Sequence, residues 1–248
     1  MSGHSKWATI KRAKGKTDAA RGKIFNRLIR EITIAARTGG GDRESNPRLR
    51  SAIGNAKAQN MPSKNIENAI AKGVGGLEGV NYEELTLEGF GPAGVAFLVE
   101  AMTDNRNRTV GEVRHAFTKA GGNLGAANSV SRLFKTRGQI RVALESAKED
   151  QLMEIVLEVG AEDMTSDEEG YDIITPVETF EAVKNALSKI GIEPTSAELT
   201  KIAETTMLIS VDAVAKTLKL EEALDDLDDV QHVYGNFEIS DEDLANLG

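Results

Sequence analysis

Gln139-Ile140-Arg141-Val142-Ala143-Leu144 opens the stretch, 139 to 203, whose reading decides the fold. Its polar and apolar residues alternate, so it predicts a strand. Helical spacing follows from Glu149 to Val159. Strands are expected near Asp163 and from Tyr171 to Thr175, on either side of the acidic turn Asp167-Glu168-Glu169-Gly170. A helix over 177 to 189 stops at Gly191, and Ile192 to Ile202 returns to strand. Strand-helix-strand-strand-helix-strand is the order of a ferredoxin-like unit.

Working outward, the flanks carry the pieces of a second such unit. Leu85 to Glu88 and Val95 to Val99 are β-rich runs around a Gly-Pro turn. A helix from Thr109 to Ala120 ends at Gly121-Gly122, and Val130 to Phe134 predicts a strand. Beyond the central block come a strand at Met207 to Ile209, a helix through Asp228 and a strand at Val230 to Ile239. One ferredoxin-like unit inserted into another accounts for this order.

The N-terminal third is helical. Phe25, Leu28, Ile29, Ile32 and Ala36 recur at helical spacing within Lys23 to Arg37, and Gly39-Gly40-Gly41 ends that helix. Asn46-Pro47 reads as a cap followed by proline at the first helical position, starting a helix to about Gln59. A third helix runs from Ser63 to Gly73, before a glycine-rich hinge over 73 to 79. The expected class is α+β: a basic N-terminal three-helix domain followed by two ferredoxin-like α/β-sandwich domains, one inserted in the other. The expected bounds are 1–78 for the arm and helical domain, 79–136 with 204–240 for the discontinuous sandwich, 137–203 for the inserted one, and 241–248 for an acidic tail.

Charge is distributed unevenly along the 248 residues. The net charge of −9 combines a stretch, 1–75, with sixteen Lys and Arg against five Asp and Glu, and a last 108 residues with seven against twenty-seven. A concentrated positive end favours approach to a polyanion, whereas an acidic body resists it. There is no cysteine, which excludes disulfides and thiolate metal sites and fits a reducing compartment. No run has the roughly 18 apolar residues of a membrane helix, and the N-terminus lacks a signal peptide's apolar centre. The expected location is the cytoplasm, without membrane contact.

Several motifs fail on chemistry. Gly15-Lys16-Thr17 lacks the upstream glycine of a phosphate-binding loop, since position 10 is Ile. Gly89, Gly91 and Gly94 match the dinucleotide fingerprint, but β-formers follow where a helix should open, so a tight connection between antiparallel strands is the better reading. Glu112 and His115 share a helix face without the further ligands of a metal site. The clusters Asp167 to Glu169 and Asp225 to Asp229 lack calcium-loop spacing and read as solvated faces and helix ends. No catalytic constellation stands out, and no cofactor or metal is expected.

The basic end is different, because its cations face few anions: only Asp18 precedes Glu31. Lys6, Lys11, Arg12, Lys14, Lys16, Arg21, Lys23, Arg27 and Arg30 are the candidate phosphate contacts, with Arg48 and Arg50 extending the patch. Trp7 admits two readings, stacking on an unpaired base or plugging the arm onto the helical domain. The third helix, with Asn65, Asn68 and Lys72, is too neutral for an obvious base-reading face.

Gly3-His4-Ser5-Lys6-Trp7-Ala8, Arg21-Gly22-Lys23-Ile24-Phe25 and Leu28-Ile29-Arg30-Glu31-Ile32 resemble the start of the YebC family. Asn46-Pro47-Arg48-Leu49-Arg50, Asn60-Met61-Pro62, Thr103-Asp104-Asn105-Arg106-Asn107-Arg108-Thr109, Gly121-Gly122-Asn123-Leu124-Gly125 and Asp229-Val230-Gln231 continue the resemblance along the whole chain. Ser129-Val130-Ser131-Arg132-Leu133-Phe134 departs from the family's Ser-Val-Ala-Trp-Met-Phe and alters one packing position. The resemblance implies the three-domain organisation and a non-enzymatic regulator of gene expression. It implies DNA binding for members labelled transcriptional regulators. For others, including a mitochondrial translational activator, it implies ribosome association, binding of ribosomal or transfer RNA, and help through polyproline stretches.

Overall fold

A computed structural model describes residues 18–75, 81–167 and 170–240, the first four of these as backbone. The described residues form two compact units, 18–129 with 215–235 and 130–214 with 236–240. The fold class is α+β, a basic helical N-terminal region followed by two α/β sandwiches, the second inserted in the first.

The first unit starts with α1 (Asp18–Gly39), α2 (Pro47–Ala58) and α3 (Ser63–Gly73). Ile32, Ala35, Leu49, Ile53, Ala56, Ile66 and Ala69 bury together and make the bundle core. Asn46 caps α2 through Leu49 N–H and donates to the carbonyls of Ala35 and Gly40, 2.8 Å each, thereby tying the end of α1 to the start of α2. At Gly73 a Cβ would lie 2.5 Å from Thr33 O and 2.7 Å from Ala36 Cβ, so α1 and α3 approach where only glycine fits. α1 begins five residues earlier than its apolar pattern predicts, because Asp18 to Gly22 add helical backbone without an apolar stripe.

The same unit holds an antiparallel sheet in the order β3-β1-β2-β9, from β1 (Glu83–Phe90), β2 (Ala96–Thr103), β3 (Asn123–Leu124) and β9 (Val230–Gly235). β2 is buried almost throughout, as a central strand covered on both faces must be. Phe97 from β2 meets Phe117 from α4 (Arg106–Lys119) edge to face, centroids 6.1 Å apart. The glycine-rich Gly89 to Gly94 segment is the expected β1–β2 connection, a short helical turn with Ala93 in the left-handed region at φ 57°.

The inserted unit has antiparallel order β5-β6-β4-β7, from β4 (Phe134–Ala143), β5 (Asp163–Ser166), β6 (Gly170–Thr175) and β7 (Ser196–Ala203). Helices α5 (Glu149–Glu158) and α6 (Phe180–Lys189) make the crossovers, which is the ferredoxin-like arrangement. Ile140, Val142, Leu152, Val156, Ile173, Val183 and Leu187 fill its core.

Two strand expectations are corrected. Val130 to Phe134 is not a strand of the outer sheet: Ser131–Leu133 is a helical turn, and β4 runs unbroken from Phe134 through Gly138. The strand expected over 230 to 239 divides at Asn236. β9 pairs with β2, while β10 (Phe237–Glu238) pairs in parallel with β8 (Met207–Leu208). Between β8 and β9, α7 (Val211–Asp225) ends three residues short of the expected Asp228.

Candidate nucleic-acid interface

Lys6, Trp7, Lys11, Arg12, Lys14 and Lys16 lie outside the described residues, and Arg21 is described only as α1 backbone. The remaining candidates fall on two helices of the first unit.

Lys23, Arg27 and Arg30 are spaced four and three apart, so they form one stripe along α1. That stripe faces the segment between α7 and β9. Lys23 Nζ lies 3.1 Å from Asp226 Oδ1. Arg27 donates to the Asp225 carbonyl at 2.6 Å and to its Oδ1 at 3.1 Å. Arg30 donates to the Asp228 carbonyl, sits 3.1 Å from Asp229 Oδ1, and lies over the Tyr82 ring at 5.5 Å. The acidic run 225–229, expected to be a solvated face, thus partners the basic helix.

Asp229 anchors this arrangement. It is buried just before β9, and its Oδ2 accepts from Arg108 at 2.6 Å, Thr109 at 2.7 Å and Thr103 at 3.0 Å. With each hydroxyl's one proton directed to Asp229, the Thr103 and Thr109 oxygens lie 2.8 Å apart, and Asn105 caps α4 through Arg108 N–H. Burial raises the Asp229 carboxyl's pKa, but hydrogen bonds from Arg108, Thr109 and Thr103, with the charge of Arg30, outweigh it and hold the pKa below the ordinary value. Reciprocally, the Arg108 guanidinium is raised above its ordinary value, first by Asp229 and then by Asp104.

Arg48 grips Glu31 with Nε at 2.7 Å and Nη2 at 3.0 Å, and also pairs with Glu84. The Glu31 hydrogen bond raises its pKa against the opposing effect of burial. Arg50 stays exposed and, among the described residues, donates only to backbone, Glu44 O at 3.1 Å and Arg43 O at 3.3 Å. Lys57, Lys64 and Lys72 are exposed on α2 and α3. The structure therefore separates candidates engaged within the molecule, Lys23, Arg27, Arg30 and Arg48, from those open to solvent.

Among the described residues no cluster of His, Asp and Glu could hold a metal ion, and Glu112 and His115 are both exposed. No helix is long and apolar enough to cross a membrane. Asp167 also departs from a solvated reading, since it accepts from Arg141 and from Gly170 N–H. The role of 225–229 had one weak signal in the sequence, a run of acids whose density matches the α1 stripe across nearly 200 residues.

Fold and charge define a class: an α+β protein with a basic helical end and two α/β sandwiches, in which an acidic segment near the end of the chain clasps the first helix. Two family models cover nearly all of it, the TACO1/YebC protein N-terminal domain over residues 5–76 and the TACO1/YebC second and third domain over 82–237. The chain belongs to the TACO1/YebC family. A Koribacter versatilis relative named a probable transcriptional regulatory protein is 54% identical over 247 residues, covering 100% of this chain and 99% of its own. One of the same description from Geobacter sulfurreducens is 53% identical over 247 residues, covering all of both chains. The crystal structure of a conserved hypothetical protein from Aquifex aeolicus superposes with a TM-score of 0.83 at 51% identity, over 90% of this chain and 93% of its own.

Proposed function

We propose that this protein is a non-enzymatic regulator of gene expression that holds nucleic acid by its phosphates through the basic N-terminal region, with DNA as the polyanion. The supporting observation is the placement of charge. Residues 1–22 carry six Lys and Arg against one acid, whereas Lys23, Arg27 and Arg30 farther along α1 face Asp225 to Asp229. Lys6, Lys11, Arg12, Lys14, Lys16 and Arg21 are the contacts of this reading, Arg50 extends them, and Trp7 supplies an aromatic face. The helical N-terminal region, with expected bounds 1–78, is the binding module of this reading. The relatives' names as transcriptional regulators agree with a role in transcription.

The charge reversals Lys14→Glu and Lys16→Glu should weaken binding and flatten the salt dependence by at least about 1.8 in log–log slope, two phosphate contacts' worth on duplex DNA. Fluorescence anisotropy over a salt series measures both. An unchanged affinity and slope would sink the assignment.

A second reading places the same region on ribosomal or transfer RNA, in the cytoplasm, as a ribosome-associated translation factor. Its supporting observation is that Lys23, Arg27 and Arg30 are engaged along α1, so these three do not form a free basic row to lay in a major groove. In-cell crosslinking followed by sequencing of the attached nucleic acid decides: promoter fragments support the first reading, ribosomal or transfer RNA the second.

A further inference from the structure

Resting on the proposed polyanion binding, we infer that Asp225 and Asp226 act as an internal stand-in for phosphate on the Lys23 and Arg27 face of α1, and that a nucleic-acid backbone displaces them. The clasp is graded along its length. At its inner end Arg30 and Asp229 have side chains 15% and 2% exposed, and Asp229 is held by three further donors. At its outer end Lys23 and Asp226 are 21% and 74% exposed, with one ion pair between them. Arg27 and Asp225 lie between, at 21% and 26%.

The two ends therefore serve different purposes. A buried carboxylate with several donors fixes the segment in place, and removing it leaves charges stranded. An exposed ion pair is weak and screened by salt, so a neighbouring polyanion competes for its cation. Arg27 carries a second sign of an incomplete partner set: its buried Nε meets no acceptor among the described residues. A phosphate, with more acceptor oxygens than a carboxylate, can take the forked face of a guanidinium whose Nη2 donates to Asp225. The outer acids thus lower affinity for any polyanion that cannot outcompete them, and they hold Lys23 and Arg27 ready for one that can.

The test uses the full chain with two labelled probes, a duplex DNA and an RNA hairpin, in anisotropy titrations over a salt series. Asp225→Asn with Asp226→Asn should bind about three- to tenfold more tightly and with a log–log salt slope steeper by about 1 to 2. Glu67→Gln with Glu112→Gln, two exposed acids of the same unit, changes net charge equally and should gain much less. Arg27→Ala should cost little in the natural chain but abolish most of the gain in the Asp225/Asp226 variant. Asp226→Asn alone, at a position 74% exposed, leaves the fold undisturbed and should show a smaller gain in the same direction. Affinity equal to the natural chain's or to the Glu67/Glu112 control overturns the inference. Binding by neither the natural chain nor the variant overturns the polyanion reading, and this inference with it; binding by the variant alone supports both.

Discussion

At the residue scale, Asp229 joins three parts of the chain: α1 through Arg30, the end of β2 through Thr103, and the first turn of α4 through Arg108 and Thr109. Removing the carboxylate takes a shared acceptor from Arg108, Thr103 and Thr109 and a neighbouring anion from Arg30. Asp229→Ala should cost about 3 kcal/mol in urea unfolding at neutral pH. The folded pKa is depressed, so this contribution is complete above the ordinary carboxylate value and disappears as pH falls through the folded one. The stability gap between the natural chain and Asp229→Asn should therefore be wide at pH 7 and close under acid, as paired urea melts would measure. Thr103 to Thr109 is visible in the sequence as a polar run between a strand and a helix. Its acceptor is not, because roughly 120 residues intervene and Asp229 sits among other acids that local pattern cannot tell apart.

At the element scale, helix ends and turns were the most legible features, because capping is local chemistry. Asn46-Pro47 announced α2, and Gly89 to Gly94 announced a β1–β2 turn over a nucleotide site. Asn46→Ala removes one cap acceptor and the donations to the Ala35 and Gly40 carbonyls, so it should lower stability by about 2 to 3 kcal/mol. Gly73→Ala should cost about 1 to 3 kcal/mol, because the Thr33 carbonyl and the Ala36 methyl must yield. Thermal melts of both variants check these values. What local pattern could not decide was where strands join or part. Gly138 runs inside β4 instead of breaking it, and the chain changes pairing partner at Asn236, since both outcomes depend on partners distant in sequence.

At the scale of the whole molecule, order along the chain matters as much as contacts. β4 to β7 with α5 and α6 bury a core of their own. A fragment spanning 131–204 should therefore fold cooperatively, with the few kcal/mol of stability usual at that size, and its circular-dichroism melt tests this. The first unit has no such independence in time. β2 is complete at Thr103, whereas its neighbour β9 begins at Val230. At synthesis rates of 5–20 residues per second, roughly ten seconds separate the two. Through that interval one edge of β2 lacks its mate and Lys23, Arg27 and Arg30 lack Asp225 to Asp229. The nascent protein is therefore more basic in effect than the folded one, and residues 225 to 235, made long after α1 and β2, both close the sheet and quiet the first helix.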